Sequence, residues 1–214
     1  MSKLAIAVLM AFLAGCSSPK DANDKNFKAA IQGYLDVAYP KCYFKQNLPI
    51  QLDEGDLFMK RKYGNGNLLF ALVDGGYISQ KGVVKETRYT TGWGNAKVKD
   101  NLQVFDLTEK GKPLYKQNLK VMDEGEQNGF CFGKAKIKEI KQFSEPSEML
   151  GAKISQVSYT YSIEDIPDWA RLPKVQSASN DIKKAIESET TPLEGKATLV
   201  LTNNGWVHDK LFKQ

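Results

Sequence analysis

Side chains able to do chemistry are few in this chain, and their spacing argues against catalysis. One histidine occurs, His208, near the C-terminal end after Gly205-Trp206-Val207. A Ser-His-Asp or Cys-His arrangement would have to use it, yet no Gly-x-Ser-x-Gly elbow is present. On a terminal strand it reads as a surface residue. Three cysteines, Cys16, Cys42 and Cys131, form no Cys-x-x-Cys pair, and with a single histidine they lack the spacing of zinc ligands. Asp53, Glu54 and Asp56 precede Lys60, Arg61 and Lys62. Alternating carboxylates can converge on a cation, but the spaced ligands and terminal Glu of a calcium loop are missing. Acids opening a helix and bases ending it complement the helix dipole instead. Gly64-Asn65-Gly66 and Gly92-Trp93-Gly94 do not match a phosphate or dinucleotide loop. Glu145, Glu148, Glu164 and Asp165 are not paired by spacing for acid–base work. No catalytic residue, metal ligand set or cofactor is expected.

What these residues offer is binding. Lys134, Lys136, Lys138 and Lys141 make a cationic row, suited to phosphate or carboxylate groups, although a solvated strand face that discourages edge pairing has the same composition. Trp93 in a glycine-rich loop supplies an aromatic contact.

The N-terminus says where such binding takes place. Lys3 and the uncharged apolar run from Leu4 to Leu13 have the layout of a secretory signal. That run is about ten residues, against the roughly 20 that span a bilayer. Leu13-Ala14-Gly15-Cys16 resembles the lipobox of bacterial lipoproteins at all four positions. The resemblance implies diacylation of the Cys16 thiol, removal of residues 1–15 as signal peptide, and acylation of the new amino terminus. Each buried methylene contributes about 0.8 kcal/mol, so several chains on one residue anchor a protein where one chain does so only marginally. In the enterobacterial sorting pattern this resembles, Ser17 rather than Asp implies the outer membrane, facing the periplasm. The small, polar residues up to Asn23 read as a short flexible tether, giving a unit 16–23.

In that oxidising compartment Cys42 and Cys131 are expected to form one disulfide. The loop closed is roughly 90 residues, for which the chain-entropy model gives roughly 4–5 kcal/mol. The net charge of +5 includes Lys3. Such a mild excess is compatible with anionic lipid or polysaccharide and specifies neither.

The elements that must position these residues follow from periodicity. Asp24 to Ala38 reads as a helix, with Phe27, Ala30, Ile31, Tyr34, Leu35 and Ala38 on one stripe, Asn23 or Asp24 as cap and Pro40 as stop. Leu68, Leu69, Leu72 and Val73 form a second helical face, stopped by Gly75-Gly76. Val83 to Arg88 and Leu102 to Leu107 read as strands around a long loop holding Gly92, Trp93 and Gly94. The run "LLFALVDGGYIS…VFDLTEKGKPLY" resembles the second half of a winged-helix domain. Nucleic-acid binding is not expected, since the helix from Asn67 to Asp74 has no Lys or Arg to meet phosphates.

Further on, Gly129 to Gln142 reads as one strand with a bulge near Glu139, because Ile140 breaks the parity of Ala135 and Ile137. Lys153 to Ile163 alternates cleanly, Asp168-Trp169-Ala170 reads as a turn packing its indole on the sheet, and Val175 to Glu189 reads as one amphipathic helix. Ala197–Thr202 and Trp206–Leu211 form a last hairpin around Asn203-Asn204-Gly205. The fold class is α+β: an N-terminal helix and winged-helix-like unit over 24–119, then a twisted antiparallel sheet with one crossing helix over 120–214. "FCFGKAKIKEI", "VSYTYSIEDIPDWA" and "LVLTNNGW" are similar to segments of Gram-negative envelope lipoproteins, a family that carries no activity to transfer.

The expectation is a lipid-anchored, periplasm-facing binding or structural module. Its partners are the membrane, through the anchor, and an envelope protein or anionic envelope polymer. An inhibitor or immunity-type protein using the loop Thr90 to Lys97 is the alternative, and an envelope hydrolase a third.

Overall fold

The computed structural model describes residues 18–63, 66–91, 94–122, 124–149 and 151–212, by backbone alone at 62–63, 66, 87–91 and 94–98. Helix α1 (Asp24–Ala38) opens the chain, with the Asn23 side chain accepting from Asn26 N at 2.9 Å. It leads into β1 (Lys41–Lys45), β2 (Ile50–Leu52), α2 (Glu54–Tyr63), α3 (Gly66–Asp74) and the hairpin β3 (Ile78–Thr91) and β4 (Gly94–Leu107). There follow β5 (Tyr115–Val121), β6 (Gly125–Phe132), β7 (Lys134–Phe143), β8 (Ser147–Met149) and β9 (Ala152–Glu164). Helices α4 (Pro173–Ala178) and α5 (Asn180–Glu187) and the hairpin β10 (Leu193–Thr202) and β11 (Gly205–His208) close it.

The protein is α+β, with three antiparallel sheets. Their strand orders are β1-β6-β5, β2-β4-β3 and β11-β10-β9-β7, with β8 also on β9. The apolar stripe of α1 covers one face of the largest sheet. Phe27 meets Phe143 and Trp206 edge-on, with ring centroids 4.9 and 5.0 Å apart. Val157, Tyr159, Ala197 and Leu199 supply the sheet side of the same core. A second aromatic knot surrounds Phe130 on β6, which contacts Tyr115 and the Trp169 indole at 5.8 and 5.4 Å.

Several elements differ from the sequence reading for identifiable reasons. The stretch expected as a long loop is a continuation of β3 and β4, paired as far as Thr91 and Gly94. The strand expected over 129–142 is two, because Gly133 adopts φ +101°, a left-handed conformation that ends β6 and starts β7 in another sheet. The bulge expected near Glu139 is present, since the β7–β9 register shifts between Ile137 and Glu139 and again between Ile140 and Gln142. The single crossing helix is broken at Ser179, whose extended backbone lets its side chain accept from Ile182 N at 3.3 Å and cap α5. The last strand stops at His208 and Asp209–Leu211 form a helical turn. The boundary at 119/120 falls inside β5, which pairs with β6, and α1 packs on β7 and β11.

Among the described pairings β7 is an edge strand, and a side chain covers part of its outer edge. Gln32 on α1 donates from Nε2 to the Ala135 carbonyl at 2.9 Å and accepts from Ile137 N at 3.0 Å. The amide thus substitutes for a neighbouring strand, satisfying backbone groups that would otherwise invite edge pairing.

Candidate functional site: a tyrosine-lined cleft beside the disulfide

Cys42 and Cys131 stand directly opposite each other in the β1–β6 register and are joined, with S–S 2.00 Å and sequence separation 89. One residue further the register shifts between Cys42 and Phe44, so Tyr43 occupies a β-bulge. Its ring stacks on Phe132 of β6 at 4.2 Å and an interplanar angle of 19°, and Phe132 in turn meets Trp169 at 5.4 Å. Tyr39 follows the last turn of α1, and Tyr161 lies on β9 opposite Leu193 of β10. These three tyrosines, the disulfide and the α4–α5 junction at Ser179 enclose a cleft of about 650 Å³.

The cleft combines raised phenols with a charge-balanced rim. Burial, then Tyr161 and Tyr43, hold the Tyr39 phenol well above its ordinary range. Tyr43 is raised by burial and by the Asp181 carboxylate. The Tyr159 phenol, whose ring centroid is 5.8 Å from that of Tyr161, is pushed up to about 12 by burial and Tyr161. A phenol so raised is neutral at physiological pH, so it exchanges hydrogen bonds but is a poor general base. The rim carries Lys41, Lys45 and Lys184 against Glu124, Asp181 and Glu194, a balanced set. Lys45 pairs with Glu124, and the Lys41 ammonium lies 5.0 Å from the centroid of Tyr39. Aromatic faces, neutral hydroxyls and alternating charges suit a polar, hydroxyl-rich ligand more than a strongly anionic one.

The residues singled out from sequence are not gathered here. Cys16 and Trp93 lie outside the described residues. Lys134, Lys136, Lys138 and Lys141 are exposed along β7, but the row carries its own carboxylates. Lys138 Nζ is 3.5 Å from Glu164, Lys141 Nζ is 2.7 Å from Glu139, and Lys134 sits opposite Glu164 in the β7–β9 register. Asp53 Oδ1 accepts from Asp56 N at 2.7 Å, the helix-start role, and among the described residues no group of three or more metal-binding side chains forms. His208 departs from the surface placement read for it. Only 5% exposed, it stacks on Tyr34 of α1 at 3.9 Å, and its Nδ1 accepts from Lys210 N at 3.2 Å. Among the described residues, no helix is long and apolar enough to cross a membrane.

Sequence reasoning passed over Tyr39 and Tyr43 and placed Tyr161 only within the alternating strand Lys153 to Ile163. The alternation Lys41, Tyr43, Lys45 just after Tyr39 was the available signal, an aromatic and cationic face on a strand whose intervening Cys42 and Phe44 are buried. Comparison with protein-family models, curated proteins and solved structures finds no match.

Proposed function

We propose that this chain is a lipid-anchored, periplasm-facing envelope protein of the outer membrane that works by binding rather than by catalysis. The tyrosine cleft carries that reading, with its neutral phenols, charge-balanced rim and disulfide wall. The lipobox resemblance supplies the compartment, and a cystine in the cleft wall is at home in one that keeps thiols oxidised. The ligand class is a hydroxyl- and amide-rich envelope polymer, or a partner presenting such a surface. The lysine row is a secondary candidate for anionic groups.

The test is equilibrium binding of the processed protein to solubilised cell-wall glycan and to lipopolysaccharide. Saturable glycan binding that weakens at least tenfold in Tyr43→Ala and Tyr161→Ala supports the cleft. Binding untouched by both, or turnover of the glycan, defeats the reading.

The inhibitor reading rests on a different observation. Strand β2 pairs with β4 only through residues 50–52, whereas β3 and β4 stay paired to Thr91 and Gly94. From Leu102 back to Gly94 the ribbon has no third strand among the described pairings, a two-stranded length of about 27 Å at about 3.4 Å per residue. Removing residues 86–99 abolishes capture of a partner enzyme if the arm plugs an active site, and leaves glycan binding intact.

A further inference from the structure

The segment after the acylation position is docked, contrary to the loose tether its composition suggests. Ser18 N donates to Asp21 Oδ2 at 2.7 Å and Lys20 N to Ser18 Oγ at 3.2 Å. Asn26, in the first turn of α1, donates from Nδ2 to the carbonyls of Ser18 at 2.8 Å and Asp21 at 2.9 Å. The Trp206 indole donates to the Lys20 carbonyl at 3.1 Å. Pro19 lies against Gly205, where an added Cβ would come within 2.9 Å of the Pro19 carbonyl oxygen. Ser18 is therefore held at the β10–β11 turn and the start of α1.

Strand register defines what else lies at that end. Thr202 pairs with Gly205, Val200 with Ile154, Ile154 with Ser147 and Met149 with Ala152. The Asn203-Asn204 turn and the β8–β9 hairpin thus share one end of the large sheet, and Met149 there is 57% exposed. The tyrosine cleft sits at the other end. Tyr161 pairs with Leu193 at the start of β10, and the nine steps from Leu193 to Thr202 span about 30 Å at about 3.4 Å per residue. Helix α1, with 15 residues, covers about 22 Å at 1.5 Å per residue and delivers Tyr39 to the cleft.

Resting on the reading of Cys16 as the acylated residue, we propose that the docked segment stands the domain on end upon the bilayer. The β10–β11 turn and the β8–β9 hairpin meet the lipid headgroups, and the cleft is presented about 30 Å away. Only Ser17 separates Cys16 from Ser18, so the slack is at most about 7 Å for two extended residues. A flexible tether would let the domain tumble; two residues do not. The exposed Met149 side chain is the part of this end suited to the headgroup–acyl boundary, and the exposed ammoniums of Lys20 and Lys153 to lipid phosphates.

The experiment uses the acylated, processed protein in phosphatidylethanolamine–phosphatidylglycerol vesicles containing headgroup-nitroxide lipid. One fluorophore is attached at Asn204→Cys or at Thr190→Cys, with the Cys42–Cys131 bond intact. Lipid quenching is expected to be at least threefold stronger at 204 than at 190. A ten-residue Gly/Ser insertion between Ser17 and Ser18 is expected to bring the two close to parity. A protein that floats with vesicles and carries acyl mass, yet quenches equally at both sites without the insertion, overturns the orientation alone. Absence of acyl mass and of flotation overturns the anchor and the orientation with it. Protection of position 204 from aqueous iodide without lipid quenching means that protein, whether a partner or a second copy, covers this end, and overturns the proposal.

Discussion

The tyrosine cleft and the lysine row on β7 are both polar, aromatic or cationic surfaces within a few strands of each other, yet they differ in how they are held. The cleft is assembled from the end of α1, from β1, from β9 and from the α4–α5 junction; its three tyrosines are half-buried, and Tyr43 stacks on Phe132. The lysine row lies on one strand, is exposed, and meets its own carboxylates at Glu139 and Glu164. A charge pattern legible in one dimension is thus answered locally at two of its four lysines, and exposed ion pairs of this kind contribute little. The surface that can select a ligand is the one that distant segments build together.

Perturbing the core that both ends of the molecule share has the largest expected effect. Phe27→Ala removes a fully buried ring between Phe143 and Trp206 and is expected to lower stability by about 3–5 kcal/mol, measured by urea unfolding. Opening the disulfide by Cys42→Ala with Cys131→Ala is expected to lower stability by about 2–5 kcal/mol and to loosen the cleft wall while leaving any membrane attachment unchanged. Equal thermal stability with and without reductant would contradict this. Gln32→Ala leaves the Ala135 carbonyl and the Ile137 amide without their side-chain partner, at about 1–3 kcal/mol, and is expected to promote association through β7, read by light scattering.

Alkaline titration sharpens the comparison further. The phenols of Tyr39 and Tyr43 in the cleft and of the neighbouring Tyr159 are raised, so the folded state holds their protons more tightly than the unfolded chain does. Their contribution is complete below the ordinary value of 10.0 and is lost as pH rises toward about 12 for Tyr159. Stability is therefore expected to fall above pH 10.0, with phenolate absorbance from these residues appearing at higher pH than that of an ordinary tyrosine while the protein stays folded. The smallest effect is expected at the lysine row. Reversing Lys134, Lys136 and Lys138 to Glu should leave glycan binding within a factor of two, while weakening any attachment to anionic lipid. A tenfold loss of glycan affinity would transfer the site from the cleft to the row.

Much of the fold was legible where period and punctuation agree. The stripe of α1 with its Asn23 cap, the alternation along β9, the Asn203-Asn204 turn and the bulge near Glu139 all follow from local rules. The misses occurred where a local signal was outweighed. Gly133 looked like one residue within a strand, but its left-handed backbone sends the chain from one sheet to another. Ser179 interrupts a stripe that reads as continuous, because capping α5 competes with extending the helix. His208 looked like a surface residue because nothing in its neighbours announces that α1 lies over it with Tyr34. Tyr39 and Tyr43 drew no notice, since a cleft is a relation among segments far apart in sequence.

By itself the sequence determined the α+β class, the core stripe of α1, the lipobox-like stretch around Cys16 and the cysteine pair available for a cross-link, since each depends on residues near one another or on composition. Only the tertiary structure decided that Cys42 faces Cys131 across β1 and β6, that Gln32 covers part of an outer strand edge, and that three tyrosines converge. It alone also decided that Ser18–Asn23 are docked at one end of the sheet while the cleft lies at the other. Those are distances between groups tens of residues apart, set by how helix and sheets bury their apolar faces on one another.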